Sequence, residues 1–113
     1  MIADARAKDA TPIVCSPIPR KAWKDGQIVR SSQTYRKWAA DVAGSEHAPF
    51  IDLNEIVAAR YDQLGPEAVE PMFADPHTHT SRAGAELNAE CVIAGLKALS
   101  GNPLAPYFSP KTK

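Results

Sequence analysis

Apolar and polar positions along the chain fall into two kinds of run. TPIVCS, Thr11 to Ser16, is short and almost continuously apolar, the pattern of a strand buried on both faces of a parallel sheet. PFIDL, Pro49 to Leu53, has the same character. Elsewhere the apolar positions recur at helical spacing. Ile2 to Lys8 has the alanine-rich composition of the last turns of a helix, with cations toward its end. A helix over about Gln33 to Val42, capped by Ser31 or Ser32 and ended at Gly44, sets Tyr35, Trp38, Ala39 and Val42 on one face, which reads as a packing face. Another opens at Asp52 or Asn54, turns Ile56, Val57, Tyr61 and Leu64 inward, and closes at Gly65-Pro66. The last begins at Ser81 and reaches about Leu99, with Ala85, Leu87, Cys91, Ile93, Ala94 and Leu96 as its apolar face.

The intervening stretches are marked by breakers. Pro17 and Pro19 end the first strand, and Ile18 to Val29 reads as a loop carrying Arg20 and Trp23. Loops after parallel strands are where such folds place their sites. Glu67 to Thr80, with Pro71 and Pro76, reads as irregular apart from one turn near Glu67 to Met72. Residues 101–113 read as a proline-rich mobile tail behind a single unit spanning 1–100. The order helix, strand, helix, strand, helix, loop, helix predicts an α/β fold with parallel strands between helices. Two strands are fewer than such a sheet needs, and an open edge on a doubly buried strand invites association. The pattern is that of the second half of a domain, with self-association through the edge as one outcome.

Composition narrows the function classes. A chain of 113 residues with 44% hydrophobic and 23% charged side chains is an ordinary globular composition. Thirteen basic and thirteen acidic residues cancel, and no basic block points to nucleic acid. No apolar run approaches the roughly 20 residues that cross a bilayer, and the first residues lack the apolar stretch of a signal peptide, so the chain as written is expected in the cytoplasm and not on a membrane. Cys15 and Cys91 are isolated from each other and from any ligand pattern, and both read as buried small hydrophobes. No cofactor motif is present.

Chemistry concentrates in ADPHTHTSRAGAELNAE, residues 74–90. Asp75, His77 and His79 offer a carboxylate and two imidazoles within five positions, just ahead of the last helix. Three readings fit: an acid/base pair, a three-ligand metal site, or a polar loop that caps the helix. No fourth ligand is identifiable, which leaves the metal reading weakest. Arg20 and Trp23 are open between contact with an acidic sugar and loop packing.

The run HTHTSRAGAELNAECVIAGL, with ARAKDATPIVCSPIPRKAW upstream and FIDLNEIVAARYDQLG between, resembles the carboxy-terminal half of the SGNH (GDSL-type) esterases, in particular their rhamnogalacturonan acetylesterase-like members. The resemblance implies a flavodoxin-like three-layer sandwich and hydrolysis of esters on acetylated carbohydrate, without cofactor or metal. It implies that His79 is the general base for a serine nucleophile and that a preceding aspartate orients it. The family sets that aspartate three residues before the histidine, where Pro76 stands here, with Asp75 one position further back. The family's Gly-Asp-Ser nucleophile block and its oxyanion-hole blocks do not occur in this sequence. Full-length relatives are often secreted. Activity is therefore expected only where a complementing segment supplies the serine.

Overall fold

The computed structural model describes residues 1–31 and 33–111. Its elements in chain order are α1 (Ile2–Ala7), β1 (Val14–Cys15), β2 (Trp23–Lys24), β3 (Gln27–Ile28), α2 (Tyr35–Ser45), β4 (Phe50–Ile51), α3 (Leu53–Leu64), α4 (Pro66–Val69) and α5 (Arg82–Ala98), with 3-10 turns at Glu70–Met72 and Ala105–Tyr107. β1 and β4 are parallel neighbours in the register Val14 to Phe50 and Cys15 to Ile51, as the two apolar runs predict. The regular pairing is shorter than either run. The chain is thus an α/β arrangement with a parallel strand pair and long helices packed against it.

The core lies between the strand pair, α3 and α5. Ile51, Val57, Ala58, Tyr61, Leu87, Cys91 and Leu96 are buried there. α5 approaches β4 closely because Gly95 carries no side chain, and a Cβ at that position would stand 2.4 Å from Ile51 Cγ2. Gly84, in the first turn of α5, sits under the Met72 carbonyl, where a Cβ would come within 2.1 Å of backbone oxygen. Asp52 caps α3 by accepting the Glu55 N–H, and Ser81 caps α5 by accepting the Gly84 N–H. Gly65, at φ 86°, ends α3, and Pro66 starts α4. Beyond α5, Phe108 rests against the core. Among the described residues no helix is long and apolar enough to cross a membrane.

Several expectations are corrected. Ile18 to Val29 is not only a loop. Trp23–Lys24 and Gln27–Ile28 form an antiparallel hairpin around Asp25 and Gly26, both at positive φ (51° and 78°), as a type I′ turn requires. The hairpin is fastened to α3 by Asp62, which accepts the Ile28 N–H at 2.7 Å and pairs with Arg30 at 2.6 Å. Cys15 is exposed, whereas Cys91 is buried. Cys15 shares a sheet face with its register partner Ile51, and α5 covers only the Ile51 side of that face. α2 begins at Tyr35 after Thr34, without a side-chain cap, and Ser31 instead donates its N–H to Asn54. Ser32, the other cap candidate, lies outside the described residues. The apolar face of α2 is not packed: Tyr35, Trp38 and Val42 are 66%, 56% and 50% exposed, and Ala43 is the helix's buried residue. Leu64, at the last turn of α3, is also exposed, and Ala85 and Ala94 face outward because the packed stripe of α5 runs through Gly84, Leu87, Cys91 and Gly95.

Two outcomes follow for stability. Gly84→Ala forces backbone apart at Met72 and should cost about 1–3 kcal/mol in urea unfolding, whereas Gly44→Ala, with nothing within 4 Å of the added carbon, should gain about 0.5–1 kcal/mol. At Asp52, burial pushes the carboxyl up, but Arg36, Ser16 and the Glu55 N–H outweigh it and hold the group below its ordinary value. A depressed folded value contributes stability that is present above the unfolded carboxylate range, about 3.9, and is lost as pH falls through the lower folded value. Unfolding free energy should accordingly decline below about pH 4, and Asp52→Asn should flatten that decline.

Candidate active site

The loop before α5 is closed at its base by an antiparallel bridge between Phe73 and Thr80. The Ala74 N–H donates to the His79 carbonyl at 2.8 Å, the Ser81 N–H to the Met72 carbonyl at 2.9 Å, and Ser81 Oγ to the Pro71 carbonyl at 2.8 Å. Inside that frame Asp75 organises the turn. Its Oδ1 accepts the backbone N–H groups of His77 (3.0 Å), Thr78 (2.6 Å) and His79 (3.0 Å), and its Oδ2 lies 2.5 Å from His79 Nδ1. Pro76 has no N–H and a fixed φ, so the chain bends there and the next three donors converge on the carboxylate. One additional residue between aspartate and histidine is thereby absorbed in the turn, and the two side chains still meet.

The electrostatics follow from those bonds. The Thr78 N–H, then the His79 ring, then the His79 N–H hold the Asp75 carboxyl well below the usual carboxylate range. An ionised carboxylate only accepts, so a neutral His79 carries its proton on Nδ1 and leaves Nε2 as a lone-pair acceptor. The His79 side chain is 81% exposed, and Nε2 has no partner among the described residues. The pair can take a proton from a group placed against Nε2 and stabilise the resulting imidazolium through Asp75.

His77 points elsewhere, with Nδ1 2.6 Å from Thr78 Oγ1. Among the described residues no three histidine, cysteine or carboxylate groups are arranged to hold a metal ion. The His77 carbonyl accepts the Lys21 N–H at 2.9 Å, which docks the loop after β1 onto the histidine loop. Lys21, with a side chain only 10% exposed, reinforces that junction by pairing with Glu70 at 2.9 Å and lying 5.5 Å from the Phe73 ring centre. Nothing in the local sequence pattern marks Lys21 for this role, since its partners come from distant segments. Next to it, Arg20 lines a cleft of about 430 Å³ with Pro17, Ile18, Val29, Ser31 and Tyr35. Trp23 is half-buried against the core and is not among the residues lining that cleft.

No family model matches the chain. Curated proteins do. The chain is 32% identical over 108 residues to the probable rhamnogalacturonan acetylesterase YesY of Bacillus subtilis, a match covering 91% of this chain and 49% of that protein. It is 32% identical over 100 residues to the uncharacterized esterase YxiM of the same organism, covering 86% of this chain and 26% of the relative. It is 22% identical over 86 residues to the rhamnogalacturonan acetylesterase of Emericella nidulans, covering 76% and 35%. The crystal structure of the Bacillus subtilis YxiM protein superposes on the chain with a TM-score of 0.77 at 31% identity, over 85% of this chain and 28% of that one. The chain thus spans about half the length, or less, of the curated relatives it matches. Parallel strands, flanking helices and an Asp–His loop before the last helix, taken with these relatives, fit a segment similar to the carboxy-terminal half of an SGNH hydrolase-like domain. Two of these relatives carry the name rhamnogalacturonan acetylesterase, one of them as probable.

If Asp75 sets the tautomer of His79, Asp75→Ala should move the neutral ring from the Nδ1–H form toward the Nε2–H form in nitrogen-15 NMR, at a pH where the ring is uncharged. An unchanged tautomer ratio would leave Asp75 with a backbone role only.

Proposed function

We propose that this chain carries the base-bearing part of a carbohydrate acetylesterase site, within a flavodoxin-like sandwich of which β1 and β4 are two of the parallel strands. The observation that supports the reading most directly is the contact between Asp75 and His79, with Nε2 left free to accept a proton. In this reading Nε2 takes the proton of a serine hydroxyl as the oxygen attacks the acetyl carbonyl, and returns it to the departing sugar oxygen. Asp75 stabilises the imidazolium in between. The serine and the oxyanion-hole donors come from outside this sequence, which contains no Gly-Asp-Ser block. Arg20, on the cleft lined by Pro17, Ile18 and Tyr35, is the cation suited to an acidic sugar, and Trp23 packs its strand against the core. The names of the relatives supply the substrate class, acetylated carbohydrate.

A second reading, a non-catalytic module that associates through its sheet edge, is favoured by the exposed apolar face of α2. Turnover of p-nitrophenyl acetate separates the two. The chain alone should show only slow, non-saturating hydrolysis. Joined to the half of YesY that it does not match, it should show saturable hydrolysis that falls by about 10²–10⁴-fold in His79→Ala. Saturable turnover indifferent to His79, or none from the joined protein, would remove the esterase reading.

A further inference from the structure

Lys21 reaches the histidine loop at two places. Its N–H donates to the His77 carbonyl, at the tip of the loop, at 2.9 Å. Its ammonium pairs with Glu70, just ahead of the loop, at 2.9 Å and stands 5.5 Å from the centre of the Phe73 ring. Phe73 is bridged to Thr80, so the backbone and the side chain of one residue hold the tip and the base of the same loop. A lysine side chain only 10% exposed keeps its charge at low cost because an anion and an aromatic face are both turned to it. The place of Lys21 is itself fixed. It is the middle residue of a three-residue turn closed by the Ala22 N–H on the Arg20 carbonyl at 2.9 Å, and the Ala22 carbonyl accepts the Val29 N–H at 2.8 Å at the base of the hairpin. The hairpin is fastened to α3 through Asp62 and Arg30. A continuous path of contacts therefore runs from α3 to the His77 carbonyl, two residues ahead of His79.

We infer that Lys21 is a positioning residue for His79: held by Glu70 and Phe73, it fixes the His77 peptide so that the Asp75 carboxylate keeps its contact with His79 Nδ1. The use of His79 as a base rests on the esterase reading above, and Lys21 is added to it as the residue through which the base is held. The physical reason lies in how the carboxylate is shared. Asp75 collects the N–H groups of His77, Thr78 and His79 together with the His79 ring, and these donors converge only while the chain keeps its bend at Pro76. The His79 side chain is 81% exposed, so water competes for the ring and for the carboxylate, and a bend that opens exchanges their contact for solvation at little cost. The Ala74 N–H on the His79 carbonyl and the Ser81 N–H on the Met72 carbonyl tie the loop at its base, whereas the Lys21 N–H acts at the tip, where the bend would open. The Lys21 and Glu70 charges face each other, which makes the effect on His79 one of position and not of an uncompensated cation.

Two readouts on the chain alone test this: the tautomer of His79 by nitrogen-15 NMR at a pH where the ring is uncharged, and exchange of the Thr78 and His79 amides. Lys21→Met keeps most of the stem and removes the charge, Lys21→Arg keeps the charge and the ring contact, and Glu70→Gln removes the partner at an exposed position. Lys21→Met should move His79 from the Nδ1–H form toward the Nε2–H form and speed exchange of the two loop amides about tenfold, while the amides of Val57 and Cys91 in the core keep their rates. Glu70→Gln should shift both readouts the same way by less, and Lys21→Arg should return the parent tautomer. In the protein joined to the unmatched half of YesY, Lys21→Met should lower kcat about 10–100-fold and leave KM within about threefold. An unchanged tautomer with unchanged loop exchange in a folded Lys21→Met overturns the proposal, and so does an even mixture of tautomers in the parent chain. If Lys21→Met does not fold, Glu70→Gln decides by the same two readouts. Absence of ester hydrolysis from the joined protein removes the esterase reading and leaves the positioning result standing, because that result is read without substrate.

Discussion

The Ser16 hydroxyl is the point through which the carboxyl ends of both strands are joined. It is 1% exposed, accepts the Asn54 N–H at 2.8 Å and donates to Asp52 Oδ1 at 2.8 Å. Asp52 in turn caps α3 and receives Arg36 of α2, whose Nε lies 3.0 Å from each of its oxygens. Asn54, fully buried, donates from its amide to the Pro17 carbonyl at 2.9 Å and accepts the Ser31 N–H at 3.3 Å. One small network therefore fixes the end of β1, the start of α3, the first turn of α2 and both ends of the segment between Pro17 and Ser31. Such a network is asymmetric in energy. Complete, each bond adds modestly, but removal of one member leaves buried polar groups unpaired at about 1–3 kcal/mol each.

That anchoring sets where the chemistry can occur. With Pro17 and Ser31 held, the segment between them is confined to a hairpin against α3, and Lys21 falls opposite the His77 carbonyl. The histidine loop is thus supported from one side by the β1 loop and from below by the Phe73–Thr80 bridge. Its precision comes from hydrogen bonds, not from burial, since His77 and His79 are exposed. An aspartate that gathers three successive N–H groups and one ring nitrogen can hold a geometry in water that a lone exposed pair would lose to side-chain entropy. The displaced carboxylate is compatible with base chemistry for that reason.

The arrangement is uneven from one side of the sheet to the other. Around α3 and α5 the core is closed, with Val57, Ala58, Tyr61 and Cys91 at 0% exposure. Around β1 and α2 it is open, and large apolar side chains face outward.

Local chemistry made much of this legible from the residues alone. Two continuous apolar runs specify parallel strands, because burial on both faces leaves no room for alternation, and Ser81 and Asp52 mark helix starts because each caps its own first turn. The candidate base, His79, is identifiable from its run and the family resemblance. The Asp25-Gly26 hairpin was also written locally, in a dipeptide suited to two positive φ angles, though the flanking prolines read more strongly as a loop. What only the tertiary structure decided depends on distance in the chain. That Asp75 reaches His79 despite Pro76 is a matter of where three N–H groups converge. That Lys21 clamps the histidine loop, that Cys15 is exposed, and that the apolar face of α2 points outward depend on which distant segments are present to cover each surface. Periodicity states which face of an element is apolar, whereas burial is a property of the neighbour that lies against it.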